Sequence, residues 1–253
     1  MVQSVASAKK SSSEKTTDSK KQERIAIVVG ATGLVGQEIV RNLLADSTYT
    51  KVKTFVRRRS GQESWPGAGK LEESVVDFAM IEAWKHLLTG TVLFSSLGTT
   101  IKQAGSQEEQ YKIDYQYQWD IAHAARENEV FTYVLISSTG ASVDSPFFYL
   151  RTKGELEKDV EILGFKKLRI LRPASLKGHR PEKRTGEEVS TRVLESIARL
   201  AQTVLSRESI DRWRPIDVKA VARAALTAAR IDHPGTLIYG PADLHRLATD
   251  PST

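Results

Sequence analysis

The chain has 253 residues, 40% of them hydrophobic, and a formal net charge of +6, which suits one domain with a sizeable core. It contains no cysteine, which excludes disulfides, thiolate metal sites and a cysteine nucleophile and suits a reducing compartment. No apolar run approaches the roughly 18 residues of a membrane-spanning helix, so we expect a cytoplasmic protein with no membrane span.

Residues 1–23 are predicted to form a disordered basic tail. The segment is rich in Ser, Thr and Lys and has almost nothing apolar after Ala8, so ordering it would bury too little apolar surface to offset the entropy lost. It has neither the apolar core of a secretory signal nor the Arg-rich, acid-poor character of a mitochondrial presequence, which again favours the cytoplasm. The remaining charge indicates a mildly basic surface and no nucleic acid as partner, because no recognised nucleic-acid motif accompanies it.

From Ile25 onward, short apolar runs alternate with segments of helical period, which is the pattern of βαβ units and a parallel sheet. The predicted strands are Ile25–Val29, Val52–Val56, Ser74–Val76, Val92–Ser95, Tyr133–Ser137, Leu168–Leu171 and Leu237–Tyr239. The predicted helices are Val35–Leu44, Met80–Leu88, Gln107–Asn128, Tyr149–Leu163, Val193–Leu205 and Val218–Ala229. We therefore expect residues 24–253 to form one α/β domain, a single doubly wound parallel sheet of the Rossmann type with a small substrate-side extension after the sixth strand.

Three glycines follow the first predicted strand, in the run Gly30-Ala31-Thr32-Gly33-Leu34-Val35-Gly36, which opens a predicted helix. Gly30 can take the dihedrals of a tight turn, Gly33 leaves the backbone open to a pyrophosphate, and Gly36 lets the helix pack closely against the strand. The first N–H groups of such a helix face the anion. The GxxGxxG spacing alone is weak evidence, but its position between a strand and a helix predicts a dinucleotide site.

The second predicted strand ends in Val56-Arg57-Arg58-Arg59, where NAD-preferring proteins carry an acidic residue that binds the ribose hydroxyls. Guanidinium groups bind a 2′-phosphate through charge-assisted, often bidentate hydrogen bonds. The sequence therefore predicts NADP(H) as the cofactor, with Arg57 and Arg58 nearer the phosphate than Arg59. A solvated surface run of charges is the alternative.

Two later positions fit the same nucleotide. Asp77 follows the third predicted strand, where it could accept from the adenine amino group or cap the helix that comes next. The run Ser95-Ser96-Leu97-Gly98-Thr99-Thr100 ends the fourth strand, where small residues let the backbone approach the cofactor or simply form a flexible turn. In the long helix that follows, the stripe of Tyr111, Tyr115 and Trp119 is interpreted as packing, with a homodimer surface as the alternative.

Tyr149 and Lys153, preceded by Ser138 at the end of the fifth strand, are the residues that suggest catalysis. A Tyr and a Lys four positions apart lie on one face of a helix, so the ammonium can favour the ionised phenol and bring it into use near neutral pH. The Ser138 hydroxyl can hold a substrate carbonyl beside them. Together these groups would protonate the oxygen of a carbonyl reduced by NADPH, or deprotonate an alcohol in reverse. A chance YxxxK match on a surface helix is the alternative.

Taken together, these motifs resemble the short-chain dehydrogenase/reductase family, and more narrowly its atypical subgroup of HIV Tat-interacting-protein-like oxidoreductases. The runs that carry the resemblance are GATGLVG, SSLGTTIKQAGSQEEQYKIDY, LISSTGAS, FFYLRTKGELEKDVE and ILRPA. The similarity extends over nearly all of the chain from Arg24 to Tyr239.

The resemblance implies a role for each matching position. The phosphates would be contacted by Thr32, Gly33, Leu34 and Val35, the last two through backbone alone, and the 2′-phosphate by Arg57 and Arg58. Leu97 and Gly98 would line the middle of the cofactor, Tyr149 and Lys153 would contact the nicotinamide ribose, and Leu176 and Arg184 would close over the nicotinamide. The serine lies closer to the tyrosine than is usual in the superfamily, which leaves open whether Ser137 or Ser138 faces the substrate.

Three functions compete. The first is an NADPH-dependent oxidoreductase acting on a small carbonyl or alcohol, with Tyr149 as the acid, Lys153 as its electrostatic support and Ser138 as the substrate's hydrogen-bond partner. The second is an NADP(H)-binding regulatory or redox-sensing protein that acts through a protein partner with little catalysis. The third is a nucleotide-sugar epimerase, which shares the fold but usually needs a larger substrate lobe than the roughly 80 residues that follow Leu171. The intact Tyr–Lys pair favours the first.

Overall fold

The fold is organised around one sheet of parallel strands. The computed structural model describes residues 23–177 and 215–249 of the chain. Its strands are β1 Ile25–Val29, β2 Lys51–Val56, β3 Leu71–Val75, β4 Val92–Ser95, β5 Thr132–Ile136, β6 Lys167–Leu171, β7 Leu176–Lys177, β8 Ile216–Asp217 and β9 Gly235–Tyr239. Seven of them form the sheet β3-β2-β1-β4-β5-β6-β9, while β7 and β8 pair separately. The predicted doubly wound α/β fold is confirmed.

Helices cover both faces of this sheet. They are α1 Leu34–Ala45, α2 Ile81–Trp84, α3 Ile101–Ala104, α4 Gln107–Tyr111, α5 Tyr117–Glu127, α6 Phe148–Ile162, α7 Val218–Arg230 and α8 Pro241–Thr249. A π-helical turn, Lys112–Gln116, joins α4 to α5. The layering explains why most of the central strands are continuous apolar runs, since a parallel strand buried on both faces has no polar side.

The central strand β1 divides its side chains between two cores. Ile27 and Val29 belong to a cluster that includes residues of α5 and α6, whereas Ala26 and Val28 belong to one that includes residues of α1, α7 and α8. All four side chains are fully buried. The strand is therefore fixed from both sides, and the loop that leaves it begins from a rigid support.

The chain changes direction across the sheet between β1 and β4. It runs outward from β1 through β2 to β3, and then crosses back to place β4 on the other side of β1. Such a switch point opens a crevice at the carboxyl ends of the strands, and in open α/β sheets ligands bind there. The loops that follow β1, β2 and β4 meet at this crevice.

A buried arginine holds the start of the last strand in place. Arg169 of β6 has no exposed surface and donates only to backbone carbonyls, namely those of Leu168, Ala228, Ile231, His233 and Gly235. Four of these belong to the end of α7 and the connection to β9. One side chain therefore ties the α7–β9 segment to the sheet.

Several predicted elements differ in extent from those observed, and β9 begins at Gly235 rather than Leu237. β3 begins at Leu71 rather than Ser74, because an edge strand tolerates polar residues; its Glu72 forms an ion pair with Lys51 of β2 at 2.6 Å. The predicted helix Met80–Leu88 is helical in the α sense only over α2 and has a 3₁₀ turn on each side.

Other predicted features lie outside the described residues: most of the 1–23 tail, the helix Val193–Leu205, and Arg184 with its loop. Within the described ranges, no helix is both long enough and apolar enough to cross a membrane.

Candidate active site

Steric limits set the shape of the loop after β1. Gly30 has φ +78°, and a Cβ there would lie 2.5 Å from the carbonyl carbon of Ser96. A Cβ on Gly36 would lie 2.0 Å from the carbonyl oxygen of Gly30. Neither position can carry a side chain without moving backbone, so the loop, the start of α1 and the end of β4 are held in close contact.

The phosphate-contact residues predicted from the sequence line the start of α1. Thr32 and Gly33 are exposed, Leu34 is half-buried, and Val35 packs in the core. Gly33 is the N-cap of α1, and no described side chain caps it. The first N–H groups of α1 are therefore available to an anion at the open edge of the sheet.

A buried glutamine supports this loop and was not predicted from the sequence. Gln62 is 1% exposed and donates its amide N–H to the carbonyl of Ala31 at 2.7 Å. Its position in a 3₁₀ turn after β2 gives no periodic signal, so only the structure reveals it.

The three residues proposed for the adenosine half follow the strands after which the sequence places them. Arg57 and Arg58 follow β2 directly and are exposed, with their guanidinium groups free to meet a phosphate in solvent. Asp77 follows β3, is exposed, and accepts from the N–H of Ala79 at 2.9 Å. The capping alternative for Asp77 is therefore realised, and a contact with adenine remains a proposal.

The loop after β4 is clamped by a row of buried polar side chains. Gln110, Asp114 and Gln118, each four residues from the next, are all 5% exposed or less. Gln110 donates to the Thr99 carbonyl at 3.2 Å, and Asp114 Oδ2 accepts from the Thr99 N–H at 3.0 Å. The row fixes the segment that contains Leu97 and Gly98.

This row also corrects the predicted helix. Residues Gln107–Asn128 were predicted as one regular helix, but the π turn interrupts it and includes Asp114. The three polar residues repeat at the spacing of a helix face, which is the signal that could have identified them; polar residues at that spacing are usually solvent-facing. The stripe of aromatic residues lies beside them, half-buried, with Tyr111 stacked on Tyr115 at 4.8 Å.

Lys153 is the centre of the predicted catalytic group. Its side chain is 2% exposed, and its Nζ lies 2.8 Å from Asp114 Oδ1 and 3.5 Å from the Leu97 carbonyl oxygen. It also lies 5.8 Å from the ring centroid of Tyr149. Burial lowers the pKa of Lys153, but Asp114, Tyr149 and Glu157 together more than offset burial, with Asp114 the largest of the three, so the pKa is raised and the amine stays an ammonium.

Tyr149 is 37% exposed, and its neighbours act on the phenol in opposite directions. Desolvation by the surrounding protein raises the pKa of its phenol, and the Asp114 charge adds to the effect; Lys153 and a hydrogen bond from Ser138 oppose it. Lys153 acts in the predicted direction, yet the net pKa is above the ordinary value. The phenol is therefore a protonated group at neutral pH, fit to donate a proton rather than to accept one.

The two adjacent serines face different partners. Ser138 donates to the Thr139 carbonyl at 3.4 Å and lies close enough to Tyr149 to lower the pKa of the phenol, whereas Ser137 is buried and donates to the Glu157 carboxylate. Glu157 in turn accepts from Arg172, with Nε to Oε1 at 3.1 Å. Because the Ser137 hydroxyl is engaged by Glu157, Ser138 is the hydroxyl left to face a substrate, and that role stays a prediction.

Leu176 lies in β7, at the same edge of the sheet, and is 39% exposed. Val143 and Phe147, in the loop after β5, are also exposed apolar residues at this edge. The rim next to Tyr149 therefore offers apolar surface to a ligand.

Known proteins resemble this chain in sequence and in fold. A family model described as NAD(P)H-binding matches residues 30–213. The mitochondrial protein fmp52 of Aspergillus fumigatus is 38% identical over 206 residues, covering 79% of this chain and 85% of the relative. The mitochondrial protein FMP52 of Candida albicans is 34% identical over 227 residues, covering 87% and 96%.

Among solved structures, a UDP-N-acetylglucosamine 4-epimerase from Methanobrevibacter ruminantium shares the fold with a TM-score of 0.64. It is 16% identical and covers 86% of this chain and 76% of its own, so the likeness concerns the fold alone.

The relatives' names overturn one expectation. Both relatives are named as mitochondrial, so the expectation of a cytoplasmic protein is wrong. That expectation depended on a tail without an Arg-rich amphipathic presequence, and this composition excludes only one kind of targeting signal.

Proposed function

Because the chain belongs to the NAD(P)H-binding family and has the Rossmann-type fold of the short-chain dehydrogenase/reductase and epimerase superfamily, we propose that it is an NADPH-dependent reductase of small carbonyl compounds. The observation that carries the proposal is the continuity of the site. The glycine loop touches the end of β4 at Ser96, the adjoining Leu97 carbonyl lies 3.5 Å from Lys153 Nζ, and Lys153 lies beside Tyr149. Cofactor loop and proton donor therefore share one crevice.

The residues present fit a dinucleotide. The glycine loop presents backbone where any Cβ would intrude, and α1 starts with N–H groups that no described side chain caps. These are the features that hold a pyrophosphate. Arg57 and Arg58 would bind a 2′-phosphate, which supports NADP(H) over NAD(H). Leu97 and Gly98 would line the middle of the cofactor, and Leu176 the nicotinamide end.

The chemistry assigned to the protein is a proton transfer. When bound, the reduced nicotinamide supplies the hydride. As the carbonyl is reduced, Tyr149 would give its phenolic proton to the oxygen, which completes the alcohol. Lys153 stabilises the phenolate that remains, and Ser138 holds the substrate oxygen next to the phenol.

The test is NADPH oxidation, followed by absorbance, against a panel of aliphatic and aromatic aldehydes and ketones, which the apolar rim favours. We expect turnover of at least one class, and a kcat lowered about 100-fold or more in Tyr149→Phe, because that variant has no proton to give. The NADPH Kd should change less than about threefold, since Phe keeps the ring.

Tyr49→Phe is the matched control, because Tyr49 lies before β2 at the amino edge of the sheet, away from the crevice. It should keep the parental rate. A Tyr149→Phe protein that reduces the same carbonyl at the parental rate would show that the proton comes from elsewhere. A protein that binds NADPH but oxidises none of it across the panel is not this reductase.

We also propose a mitochondrial location. The names of the fungal relatives, which cover most of this chain, support it, and fractionation of cells that express the full chain would test it.

A further inference from the structure

The buried ion pair between Asp114 and Lys153 is the feature that the proton-transfer mechanism does not by itself require. Asp114 has no exposed surface and Lys153 is 2% exposed. Taking two charges out of water is costly unless each finds good partners, and leaving either one alone in such a place is more costly still. Separating the two charged groups inside the protein would therefore cost much free energy.

The local structure holds the Asp114 carboxylate on both sides. Oδ2 accepts from the Thr99 N–H at 3.0 Å, and Oδ1 lies 2.8 Å from Lys153 Nζ. Asp114 itself sits in the π turn between α4 and α5. Turns of this kind insert an extra residue into a helix and occur frequently at functional sites. Here the turn carries a carboxylate into contact with the lysine of the neighbouring α6.

Other charged groups near Lys153 do not substitute for Asp114. On its own helix, Lys153 faces Tyr149 on one side and Glu157 on the other. Glu157 is already engaged by Arg172 and by the Ser137 hydroxyl. Of the groups on elements packed against Lys153, Asp114 is the carboxylate in direct contact.

We propose that Asp114 is a positioning residue that keeps Lys153 protonated and fixes its ammonium between the Leu97 carbonyl and Tyr149. The ion pair is independent of the proposed reductase activity, but its catalytic consequence rests on that activity. Without the carboxylate, Lys153 would be a lone buried amine, and burial favours its neutral form. A neutral amine cannot stabilise the phenolate that Tyr149 leaves behind.

The test is the titration of Lys153 in the full-length protein labelled with ¹³C-lysine, with its Cε signal assigned by its loss in Lys153→Met. In the parent protein the signal should stay in its charged form through pH 10. In Asp114→Asn the midpoint should fall by at least about 2 pH units, because the largest stabilising charge is gone. An unchanged midpoint would overturn the proposal.

Asp46→Asn is the matched control. Asp46 pairs with Arg230 between the end of α1 and the end of α7, and its carboxylate is also mostly buried. Its replacement should leave the Lys153 titration unchanged. A shift as large as that in Asp114→Asn would mean that Lys153 responds to general loosening of the fold, and would contradict the proposal.

If Asp114→Asn does not fold, the double variant Asp114→Asn/Lys153→Met tests whether Asp114 acts through Lys153. Removing both charges should restore most of the stability that the single change loses, because no lone buried charge remains. A double variant as unstable as Asp114→Asn would show that the loss of stability does not come from leaving Lys153 unpaired. That result would overturn the proposal.

Kinetics separate this role from a purely structural one. In Asp114→Asn the rate of carbonyl reduction should fall as the pH rises through the lowered Lys153 midpoint. The pH at which activity is lost on the alkaline side should therefore fall by as many pH units as the Lys153 midpoint does. A rate lowered equally at every pH would contradict the positioning role. Should the parent protein show no reductase activity at all, the proposed function fails while the lysine titration still tests Asp114.

Discussion

At the scale of single residues, the site separates groups that hold a shape from groups that carry a charge. Gly30 and Gly36 belong to the first kind, since a Cβ at either would collide with backbone. Arg57, Arg58 and Lys153 belong to the second. Changing the first kind disturbs the loop for every ligand, whereas changing the arginines should alter only the choice between dinucleotides.

The arginines give a direct prediction of cofactor choice. Replacing both Arg57 and Arg58 by Ser should weaken NADPH binding about 10- to 100-fold, because each charge-assisted hydrogen bond contributes about 1.5–3 kcal/mol. The Kd for NADH should change less than about threefold, since NADH has no 2′-phosphate. Isothermal titration with both cofactors measures the difference.

Arg59→Ser is the control, because the side chain of Arg59 is expected to point further along the loop. It should affect NADPH binding less than about threefold. Equal losses for NADH and NADPH in the double variant, or none for either, would show that the arginines do not read the 2′-phosphate.

At the scale of elements, the sequence predicts best where apolar periodicity is strong. β1 and β4 have the predicted bounds, because buried parallel strands are short, apolar and flanked by glycine or polar turns. α6 was placed within one residue at each end, so the Tyr149–Lys153 spacing could be read directly. The position of those two side chains on one helix face follows from that spacing alone.

The sequence is least informative where polar residues are buried. Asp114 lies in a π turn that no periodic pattern marks, and Gln62 lies in a short 3₁₀ turn. Both make their contacts with backbone or side chains far away in sequence, so their burial depends on the assembled fold. The raised pKa of Tyr149 has the same origin, because desolvation and the Asp114 charge appear only when α6 meets the π turn.

Asp77 connects the end of β3 with the following turn, so its replacement should affect both stability and cofactor binding. Asp77→Ala should lose about 1 kcal/mol of unfolding free energy, the usual value for an N-cap. It should also weaken NADPH binding by about 3- to 10-fold, the worth of one hydrogen bond to adenine. Asp77→Ser should restore the stability but not the affinity, since serine caps a helix yet is too short to reach the base.

Asp217→Ala is the comparison, because Asp217 caps α7 in the same way, accepting from the Lys219 N–H at 2.7 Å. It should lose similar stability in urea denaturation and leave NADPH binding unchanged. If Asp77→Ala binds NADPH as tightly as the parent, Asp77 is a cap and nothing more.

At the scale of the whole molecule, Arg169 shows how one buried cation can stabilise a large segment. Arg169→Met keeps a similar volume but leaves several buried carbonyls without a donor. We expect a loss of about 3 kcal/mol or more in the free energy of unfolding, because unsatisfied buried polar groups each cost about 1–3 kcal/mol. Denaturant unfolding of the full chain measures it.

A surface arginine provides the control. Arg246 of α8 pairs with Asp243 at 3.0 Å, and its side chain is 76% exposed. Arg246→Met should change stability by less than about 0.5 kcal/mol. NADPH binding should survive Arg169→Met at a temperature where the protein remains folded, since β5 separates the strand of Arg169 from the β1–β4 crevice. A loss below about 1 kcal/mol would mean that water replaces its contacts.

The strand order has a consequence for how the chain reaches this state. β1 is made first but lies at the centre of the sheet, and Val29 pairs with Phe55 on one side and with Ser95 on the other. One apolar face of β1 packs on α1, which is made next, but the other packs on α5 and α6, which are made only after β4. Non-local parallel pairing is slow and leaves such strands open to aggregation. During synthesis, the half-covered β1 is therefore the strand of this sheet that stays exposed to aggregation for the longest time.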